Sequence, residues 1–373
     1  MVIAGEASGD HHAARMITAM QATRSDLSFR GIGGEHMRRA GVKILVDSAD
    51  MAVVGLVEVL VNYRFLKGVL DKMRNELRQS PPDLLILVDY PDFNLRLAAT
   101  ARELGIKVLY YISPQIWAWR QNRVYKIKRL VDMMAVVFPF ELTFYERADV
   151  PARFVGHPLV DEVHTTLTHE QAAIKFGLDP KRPVLGLFPG SRRSEVKRLL
   201  PIILESAKLV QQQVPNIQFL LPQASTLGDM FISELIQNSP IDIKIVKEGP
   251  YDVIKACDAI VCASGTVTLE IALMQVPMVV IYRIAPLSYQ IMSRMIKVKH
   301  IALCNIVAGK RIVPELIQRD ATPTRISKEA IKLLTQPLHA QKIVHDLECV
   351  RDNLGVGGAS ENVAKLALSL LER

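Results

Sequence analysis

Short apolar runs alternate with longer amphipathic segments along most of this 373-residue chain. Apolar runs of about five residues are typical of strands buried in a parallel sheet, and the amphipathic segments between them predict helices. The alternation occurs once before residues 154–161 and again after them. The sequence therefore predicts an α/β protein of two doubly wound, Rossmann-like domains that face a central cleft.

Composition and pattern also suggest where the domains end. A strand and a crossover put the boundary near residues 160–175, which gives a first domain of residues 1–165 and a second of residues 166–345. The amphipathic end of the chain, residues 346–373, predicts helices that cross back to the first domain.

The clearest ligand-binding pattern lies in the second domain, at VLGLFPGSRRSEVK, residues 184–197. A strand over residues 184–188 ends at Gly190, and Ser191 can cap the helix that follows. Unpaired amides and the helix dipole favour an anion at such a helix start, and Arg192 adds a cation. An ordinary βα turn with solvated arginines remains the alternative for this segment alone.

A similar pattern recurs at residues 259–283. A strand ends at the turn formed by Ser264, Gly265 and Thr266, and the next helix carries Glu270. The amides and hydroxyls of the turn suit a phosphate, and the carboxylate suits the two hydroxyls of a ribose. The two patterns together predict a nucleotide site in the second domain, although many βα joints look alike.

The first domain begins with a strand over residues 1–4, which is short and leaves open whether the natural chain begins upstream of Met1. The GEASGD segment follows, and Gly5, Ser8 and Gly9 allow a close turn before a helix predicted from residue 12. A strand over residues 27–30 is expected to precede a glycine loop that lacks the spacing of a dinucleotide fingerprint.

A second candidate loop of the first domain is YPDFN, residues 90–94. It follows an apolar strand over residues 84–88 that ends in Asp89. Asp92 is expected in the loop, where open α/β sheets place their chemistry, and it is the candidate general base. The alternative is that this carboxylate only caps the helix that follows Phe93.

Both tryptophans of the chain, Trp117 and Trp119, follow the strand predicted over residues 107–112. Their rings would wall an apolar cleft or pack structurally. The basic helix of residues 120–129 fits a solvated face, and it also fits a surface for phosphate or anionic lipid.

Residues 51–70 combine an uncharged apolar run with apolar positions at helical spacing. One interpretation is core packing. The other is a surface that accepts acyl chains or enters a membrane, because Arg64 and Lys67 flank the apolar positions.

Composition narrows the class of protein. The chain is 49% hydrophobic and 23% charged, which excludes disorder, and its net charge of +8 favours anionic partners. It has no apolar run of transmembrane length and no signal pattern, so we expect a cytosolic protein. Its four cysteines lack metal-binding spacing and are expected to be buried thiols, and His11 and His12 lack a metal partner.

A set of motifs in this order resembles one family. The motifs are GEASGD, DYPDFN, SPQIWAWR, FPFE, FVGHP, LFPGSR, ASGTVTLE, PMVVIYR and NIVAG. They look like the motifs of lipid A disaccharide synthase, and the likeness spans nearly the whole chain. It implies a GT-B glycosyltransferase that inverts the anomeric carbon and joins UDP-2,3-diacylglucosamine to 2,3-diacylglucosamine 1-phosphate, called lipid X.

The resemblance also implies the setting of the reaction. The products would be UDP and the β-1,6 disaccharide 1-phosphate of lipid A biosynthesis. The enzyme would work without cofactor or metal, at the phospholipid surface on the cytosolic face of the inner membrane. The resemblance implies no nucleic-acid partner and is compatible with a homodimer.

The family motifs assign roles to residues of this chain. Asp92 matches the second Asp of the DxPDFN pattern and would be the base, while Asp89 is left open as a residue that shares its work. Arg192 and the amides at the two loops would hold the diphosphate, Glu270 the ribose, and Asn305 would lie near the donor in the loop 303–309. The residues lining the site from the first domain would be Gly5, Ser8, Gly9, Asp10, Ser113 and Trp117.

Two other functions remain open at this point. A 2-epimerase or the peptidoglycan GlcNAc transferase would share the nucleotide site but not the acyl surface. A basic nucleic-acid-binding protein would lack a nucleotide pocket and would bind with a steep salt dependence.

Overall fold

The computed structural model describes residues 1–51, 56–237, 239, 241–285, 289–290, 295 and 298–372, and for residues 56–63 it describes the backbone alone. The chain forms two compact units. Unit 1 comprises Met1–Asp161 and Leu354–Arg373, and unit 2 comprises Glu162–Asn353.

Unit 1 is built on a parallel sheet with the strand order β3-β2-β1-β4-β5-β6-β7. Its strands are β1 (Val2–Ala4), β2 (Arg30–Gly33), β3 (Lys43–Asp47), β4 (Leu84–Val88), β5 (Lys107–Tyr111), β6 (Met133–Val136) and β7 (Ala152–Phe154). The order reverses between β1 and β4, and such a point is where ligands bind in open α/β sheets.

Helices cover this sheet and bury their apolar faces in its core. They are α1 (Ala7–Thr23), α2 (Glu35–Arg39), α3 (Ser48–Met51), α4 (Leu56–Gln79), α5 (Pro91–Glu103), α6 (Ile116–Trp119), α7 (Val124–Leu130), α8 (Pro139–Glu146), α9 (Leu159–Glu162) at the unit boundary and, after unit 2, a returning helix Ala359–Leu371. Every residue of β4 is buried, as its uniformly apolar sequence requires.

Unit 2 repeats the architecture with the strand order β10-β9-β8-β11-β12-β13, again all parallel. Its strands are β8 (Val184–Phe188), β9 (Gln218–Pro222), β10 (Lys244–Val246), β11 (Ala259–Ala263), β12 (Met278–Tyr282) and β13 (Glu315–Ile317). Its helices are α10 (His169–Lys175), α11 (Arg193–Gln213), α12 (Asp229–Ile236), α13 (Pro250–Lys255), α14 (Val267–Leu273), α15 (Leu303–Ala308), α16 (Pro323–Thr335) and α17 (Pro337–Asn353). The order reverses between β8 and β11.

The chain returns to unit 1 later than expected. Helix α17 packs on α14, α15 and α16 and belongs to unit 2, so the return begins at Leu354 instead of residue 346. The last helix, α18 (Ala359–Leu371), packs along α1. The carboxylate of Asp161 accepts hydrogen bonds from the amides of Gly358 and Ala359 at 2.8 and 3.1 Å, which anchors the start of α18.

Two glycine-rich segments fold differently from the prediction. Helix α1 begins at Ala7, so Ser8, Gly9 and Asp10 lie in its first turn and not in a loop. Strand β2 begins at Arg30, later than expected, and includes Gly31 and Gly33, which were predicted to lie in a loop. A Cβ atom at Gly31 would lie 1.7 Å from the Val2 carbonyl oxygen, so the close approach of β1 and β2 requires glycine within the strand.

The segment 51–70 is described in part. Residues 52–55 and the side chains of residues 56–63 lie outside the described part. The sequence also predicts a helix over residues 287–296, and most of these residues lie outside the described part as well. The second half of α4 buries Val69, Leu70, Met73 and Leu77 in the core of unit 1, which confirms core packing there. Within the described ranges, no helix is both long and apolar enough to cross a bilayer.

Candidate active site

A cavity of about 590 Å³ opens in unit 2 at the carboxyl ends of β8 and β11. These strands are neighbours, so the PGSR and SGT loops meet there. The predicted residues that line this cavity are Gly190, Ser191, Arg192, Ser264, Gly265, Thr266 and Glu270. The structure thus brings together the nucleotide-site residues predicted from two separate motifs.

Gly190 is the point at which the first loop turns. Its φ of +105° disfavours any residue with a side chain, and a Cβ atom there would lie 2.1 Å from Oε2 of Glu195. Burial raises the pKa of Glu195, while the charge of Arg192 and hydrogen bonds from the Ser191 and Arg192 amides lower it. Two amides predicted to face an anion therefore already face a carboxylate of their own chain.

The second loop contributes less than expected through Ser264. Its amide donates to the carbonyl of Ile281 at 3.0 Å and its hydroxyl to the carbonyl of Ile301 at 2.9 Å. Both donors of Ser264 thus hold the loop against its own unit. Gly265 and Thr266 are exposed and precede α14, and their carbonyls accept hydrogen bonds from the amides of Thr268 and Leu269 at 3.1 and 2.9 Å.

Glu270 is half-buried on α14 and lines the same cavity as Arg192. Burial is the main cause that raises its pKa, and the nearby charge of Glu162 adds to it. A carboxylate at the edge of a cavity, one helical turn from the SGT loop, is placed to accept hydrogen bonds from a bound ligand.

Asn305 lies in helix α15 and not in a loop, and its side chain is fully buried. Its Oδ1 accepts hydrogen bonds from the amides of Ile312 and Val313 at 2.8 and 3.0 Å. Its Nδ2 donates to the Val313 carbonyl at 3.1 Å and to Glu315 at 2.7 Å. These bonds hold the approach to β13, so the side chain supports the fold and is not directed at a ligand.

The GEASGD segment of unit 1 makes its contacts within its own unit. The buried carboxylate of Asp10 accepts hydrogen bonds from the amides of Gly34, His36 and Met37 at 2.6, 3.0 and 3.1 Å. Asp10 therefore holds the start of α2 and does not line an open surface.

The glycines of the same segment keep the backbone close to its neighbours. Gly5 lies beneath Tyr90, where a Cβ atom would be 2.6 Å from the ring, and Gly9 lies against Ala4. Ser8 is exposed.

The turn after β4 is strained. Asp89 and Tyr90 have φ values of 45° and 46°, a conformation that costs about 1–3 kcal/mol for each non-glycine residue. The buried Asn94 side chain donates to the carbonyls of Val88 and Asp89 at 3.2 and 2.7 Å, and the Tyr110 hydroxyl donates to the Asp89 carbonyl at 2.6 Å. Surrounding hydrogen bonds therefore hold Asp89 in a defined position.

The two aspartates of DYPDFN lie in different environments. Asp92 lies in the first turn of α5 and not in a loop; its side chain is 76% exposed and pairs with Arg123 at 2.7 Å. Asp89 is half-buried, and burial, followed by the charge of Glu6, raises its pKa to about 6. A carboxyl group that titrates near neutral pH is well suited to take up a proton. The available sequence signal for Asp89 was its position directly after a fully apolar strand.

The SPQIWAWR segment differs from the prediction for Ser113 and Trp117. Both side chains are buried, so neither walls an open surface. The Trp117 indole donates to Glu141 at 3.0 Å, and the Ser113 and Tyr145 hydroxyls lie 2.7 Å apart. The exposed ring of this segment is Trp119, and the buried carboxyl of Glu141 was not anticipated from the sequence.

Three of the four cysteines are buried. Cys257, Cys262 and Cys304 are buried as expected, whereas Cys349 is exposed because it lies on the outer side of α17. In the part of the chain that the structure describes, no group of three or more His, Cys, Asp or Glu side chains is arranged to hold a metal ion.

Comparison with known proteins identifies the family. The family model described as lipid-A-disaccharide synthetase matches residues 1–367. The chain belongs to this family. It is therefore an enzyme, a glycosyltransferase of lipid A biosynthesis, as the motifs predicted.

Relatives of the same name cover the whole chain. The lipid-A-disaccharide synthase of Geobacter sulfurreducens is 55% identical over 100% of this chain and 97% of its own length. The enzyme of Nitrosococcus oceani is 52% identical over 100% and 96%, respectively.

Solved structures of proteins with other names share the fold. The UDP-GlcNAc 2-epimerase of Neisseria meningitidis bound to UDP-GlcNAc has a TM-score of 0.66 at 13% identity and covers 99% of each chain. MurG of Acinetobacter baumannii has a TM-score of 0.59 at 17% identity and covers 99% of this chain and 98% of its own. These likenesses concern the fold alone, and they confirm the predicted class of two doubly wound α/β units.

Proposed function

We propose that this member of the lipid-A-disaccharide synthase family condenses UDP-2,3-diacylglucosamine with lipid X. The products are UDP and the β-1,6-linked disaccharide 1-phosphate, and the configuration at the anomeric carbon is inverted. The observation that carries the proposal is the cavity between the PGSR and SGT loops, in a chain that matches the family over nearly its whole length. Unit 2 binds the UDP sugar and unit 1 binds the acceptor.

The donor site uses charge and free amides. Arg192 and the amides of Gly265 and Thr266, just before α14, hold the diphosphate, and Glu270 accepts hydrogen bonds from the ribose hydroxyls. Because Glu195 already faces the Ser191 and Arg192 amides, the diphosphate displaces this carboxylate when it uses them.

We assign the general base to Asp89 and not to Asp92. Its carboxylate takes the proton of the acceptor 6-hydroxyl while that oxygen forms a bond to the anomeric carbon of the donor. The bond from this carbon to the UDP oxygen breaks, and UDP leaves with the electron pair. Arg192 and the loop amides stabilise the charge that develops on the leaving diphosphate. The held position and raised pKa of Asp89 support this assignment, whereas Asp92 is exposed and paired with Arg123.

The pH profile tests the base. We expect kcat/KM to rise with pH and level off above about 6, because Asp89, whose pKa is raised to about 6, must be ionised to accept a proton. Initial rates of UDP release between pH 4.5 and 8.5 measure this profile. The Asp92→Asn variant should keep the same acid limb, and an acid limb that disappears in this variant would return the role to Asp92.

Gly190→Ala tests the donor loop. The new methyl group would enter the space of the Glu195 carboxylate at a φ that alanine disfavours, so the loop must shift. We expect the Kd for UDP to rise at least tenfold, on the order of the cost of one strained residue. Calorimetric titration measures it. Gly228→Ala is the matched control, because a Cβ atom there meets nothing within 4 Å, and equal Kd values for the two variants would contradict the role of the loop.

Direct assay tests the reaction itself. Purified protein is mixed with UDP-2,3-diacylglucosamine and lipid X in detergent micelles without divalent metal, and UDP and disaccharide are followed by mass spectrometry. Disaccharide formation is the expected result. UDP binding without disaccharide formation would support the donor site and would refute lipid X as the acceptor substrate. A 2-epimerase or peptidoglycan transferase activity is not favoured, because the likeness to those enzymes concerns the fold alone.

Contact with the inner-membrane phospholipid surface on the cytosolic face is part of the proposal. Phe65 is 43% exposed on α4 between the exposed Arg64 and Lys67, and Tyr125 is exposed on the basic helix α7. Exposed aromatic rings beside basic side chains favour an anionic membrane surface. Co-sedimentation with phosphatidylglycerol vesicles tests the contact, and binding that is equal with neutral vesicles would refute the charge component.

A further inference from the structure

Glu141 is a fully buried carboxyl group that joins two loops of unit 1. It lies in the first turn of α8, after β6. Its Oε1 accepts a hydrogen bond from the Trp117 indole at 3.0 Å, and its Oε2 accepts one from the Phe138 amide at 3.1 Å. One carboxylate thus joins two loops: the loop after β5 (residues 112–123), which includes the short helix α6, and the loop after β6 at Phe138.

The surroundings of Trp117 leave its ring little freedom. Phe140 meets the ring edge-on with centroids 4.9 Å apart, and Phe138 stacks on Phe140 at 5.3 Å. Both Ser113, which hydrogen-bonds Glu141, and Tyr145 are buried beside it. Burial is the main cause that raises the pKa of Glu141 to about 7. Burying a carboxyl group costs free energy unless it is hydrogen-bonded, and the hydrogen bonds of Glu141 fix its position and that of Trp117.

The loop that Glu141 anchors starts under strain. Ile112 has a φ of 60°, an unfavourable conformation for a β-branched residue. The loop leaves β5, which lies beside β4 in the sheet, and Tyr110 of β5 donates to the Asp89 carbonyl. Because β4 and β5 are paired, the loop after β5 begins next to the turn that carries the proposed base.

The exposed end of this loop carries a ring and a cation. Trp119 is 41% exposed, and the Arg120 guanidinium lies over its ring at 4.1 Å from the centroid. Stacking restricts the guanidinium, whose planar fork matches a phosphate. A partly exposed aromatic ring with a guanidinium held over one of its faces suits a sugar phosphate.

We propose that Glu141 is a positioning residue that, through Trp117, fixes the loop in which Trp119 and Arg120 bind the sugar 1-phosphate of the acceptor. The proposal rests on the proposed function, which assigns the acceptor to unit 1. Trp119 packs on the sugar, Arg120 pairs with its phosphate, and Glu141 contacts neither.

Glu141→Gln tests the anchor. In glutamine an NH2 group replaces Oε1 or Oε2, so a donor would face either the Trp117 indole N–H or the Phe138 amide N–H, and one of the two hydrogen bonds is lost. We expect the KM for lipid X to rise at least tenfold, a smaller change in kcat, and no change in the Kd for UDP, which binds in the other unit. Glu146→Gln, at an exposed site on the same helix, is the matched control and should leave all three values unchanged.

Two further variants separate positioning from general stability. Trp117→Phe keeps a ring but removes the indole donor, and combined with Glu141→Gln it should raise the KM no further than either change alone. Arg120→Ala should raise the KM for lipid X and leave the KM for the dephosphorylated acceptor, 2,3-diacylglucosamine, unchanged. An equal effect of Arg120→Ala on both acceptors would overturn the phosphate contact.

The outcomes distinguish this inference from the proposed function. Wild-type protein that makes no disaccharide would count against the proposed function. Active wild-type protein with an unchanged KM for lipid X in Glu141→Gln would overturn the inference alone, as would an equal rise in the KM values for donor and acceptor. Where Glu141→Gln fails to fold, an unchanged acceptor KM in Trp117→Phe would overturn it.

Discussion

Asp89→Asn should reduce kcat about 10²–10⁴-fold, the usual contribution of a general base, while the Kd for UDP stays at the wild-type value. Asparagine keeps the size of the side chain, and the hydrogen bonds that hold this turn go to the Asp89 carbonyl, so the fold is retained. What is lost is the carboxylate that accepts the proton of the acceptor hydroxyl. Single-turnover assays with both substrates, together with calorimetric titration of UDP, measure the two quantities.

Asp92→Asn is the matched control for this prediction. The two aspartates are three residues apart, and each change removes one negative charge. We expect Asp92→Asn to change kcat less than tenfold, because the exposed carboxylate is paired with Arg123 and an exposed ion pair contributes little. A large loss in Asp92→Asn with retained turnover in Asp89→Asn would reverse the assignment.

The sequence alone does not show which of these two aspartates is buried. Both follow the same apolar strand, and a motif of six residues cannot distinguish a half-buried carboxyl from one exposed on the next helix. The distinction depends on burial and on Glu6 and Tyr110, which lie outside the motif, the first before α1 and the second on β5. Desolvation is a tertiary property, so only the structure reveals that Asp89 has the raised pKa.

The strands, in contrast, follow directly from local pattern. The bounds of β4 and β8 agree with the predicted runs 84–88 and 184–188, because a strand buried on both faces needs uninterrupted apolar residues. Glycine misled the prediction where it serves close packing: Gly9 lies inside α1 and Gly31 inside β2. Local pattern reads both as loop residues, whereas the neighbouring backbone decides their conformation.

For several predicted polar site residues, the structure shows side-chain partners that the sequence does not indicate. Asn305 and Ser264 looked available for a ligand, yet their donors and acceptors are taken by backbone groups distant in sequence, such as Val313 and Ile301. Trp117 looked like a wall of the site, yet its indole donor is bound to Glu141. Buried polar groups must be satisfied, and the partner that satisfies each one is set by the fold.

Arg192→Ala should raise the Kd for UDP about tenfold to a hundredfold, the usual range for loss of a hydrogen bond to a charged group. Arg192 lines the donor cavity at the N-cap of α11, where its charge adds to that of the helix start. Arg192→Lys should restore part of the affinity, because lysine keeps the charge but lacks the planar fork that matches a diphosphate. Calorimetric titration at fixed ionic strength measures all three proteins.

Arg193→Ala is the control that separates a contact with the diphosphate from the general field of a basic protein. Its guanidinium lies over the Phe231 ring, 4.6 Å from the centroid, and it does not line the cavity. Both alanine variants lose one positive charge at adjacent positions, so their long-range effects on an anionic ligand are nearly equal. Equal losses of UDP affinity in the two alanine variants would mean that Arg192 acts only through its long-range charge. An unchanged Kd for UDP in Arg192→Ala would show that Arg192 does not contribute to the site. A loss confined to Arg192→Ala is the result expected if its guanidinium bonds the diphosphate directly.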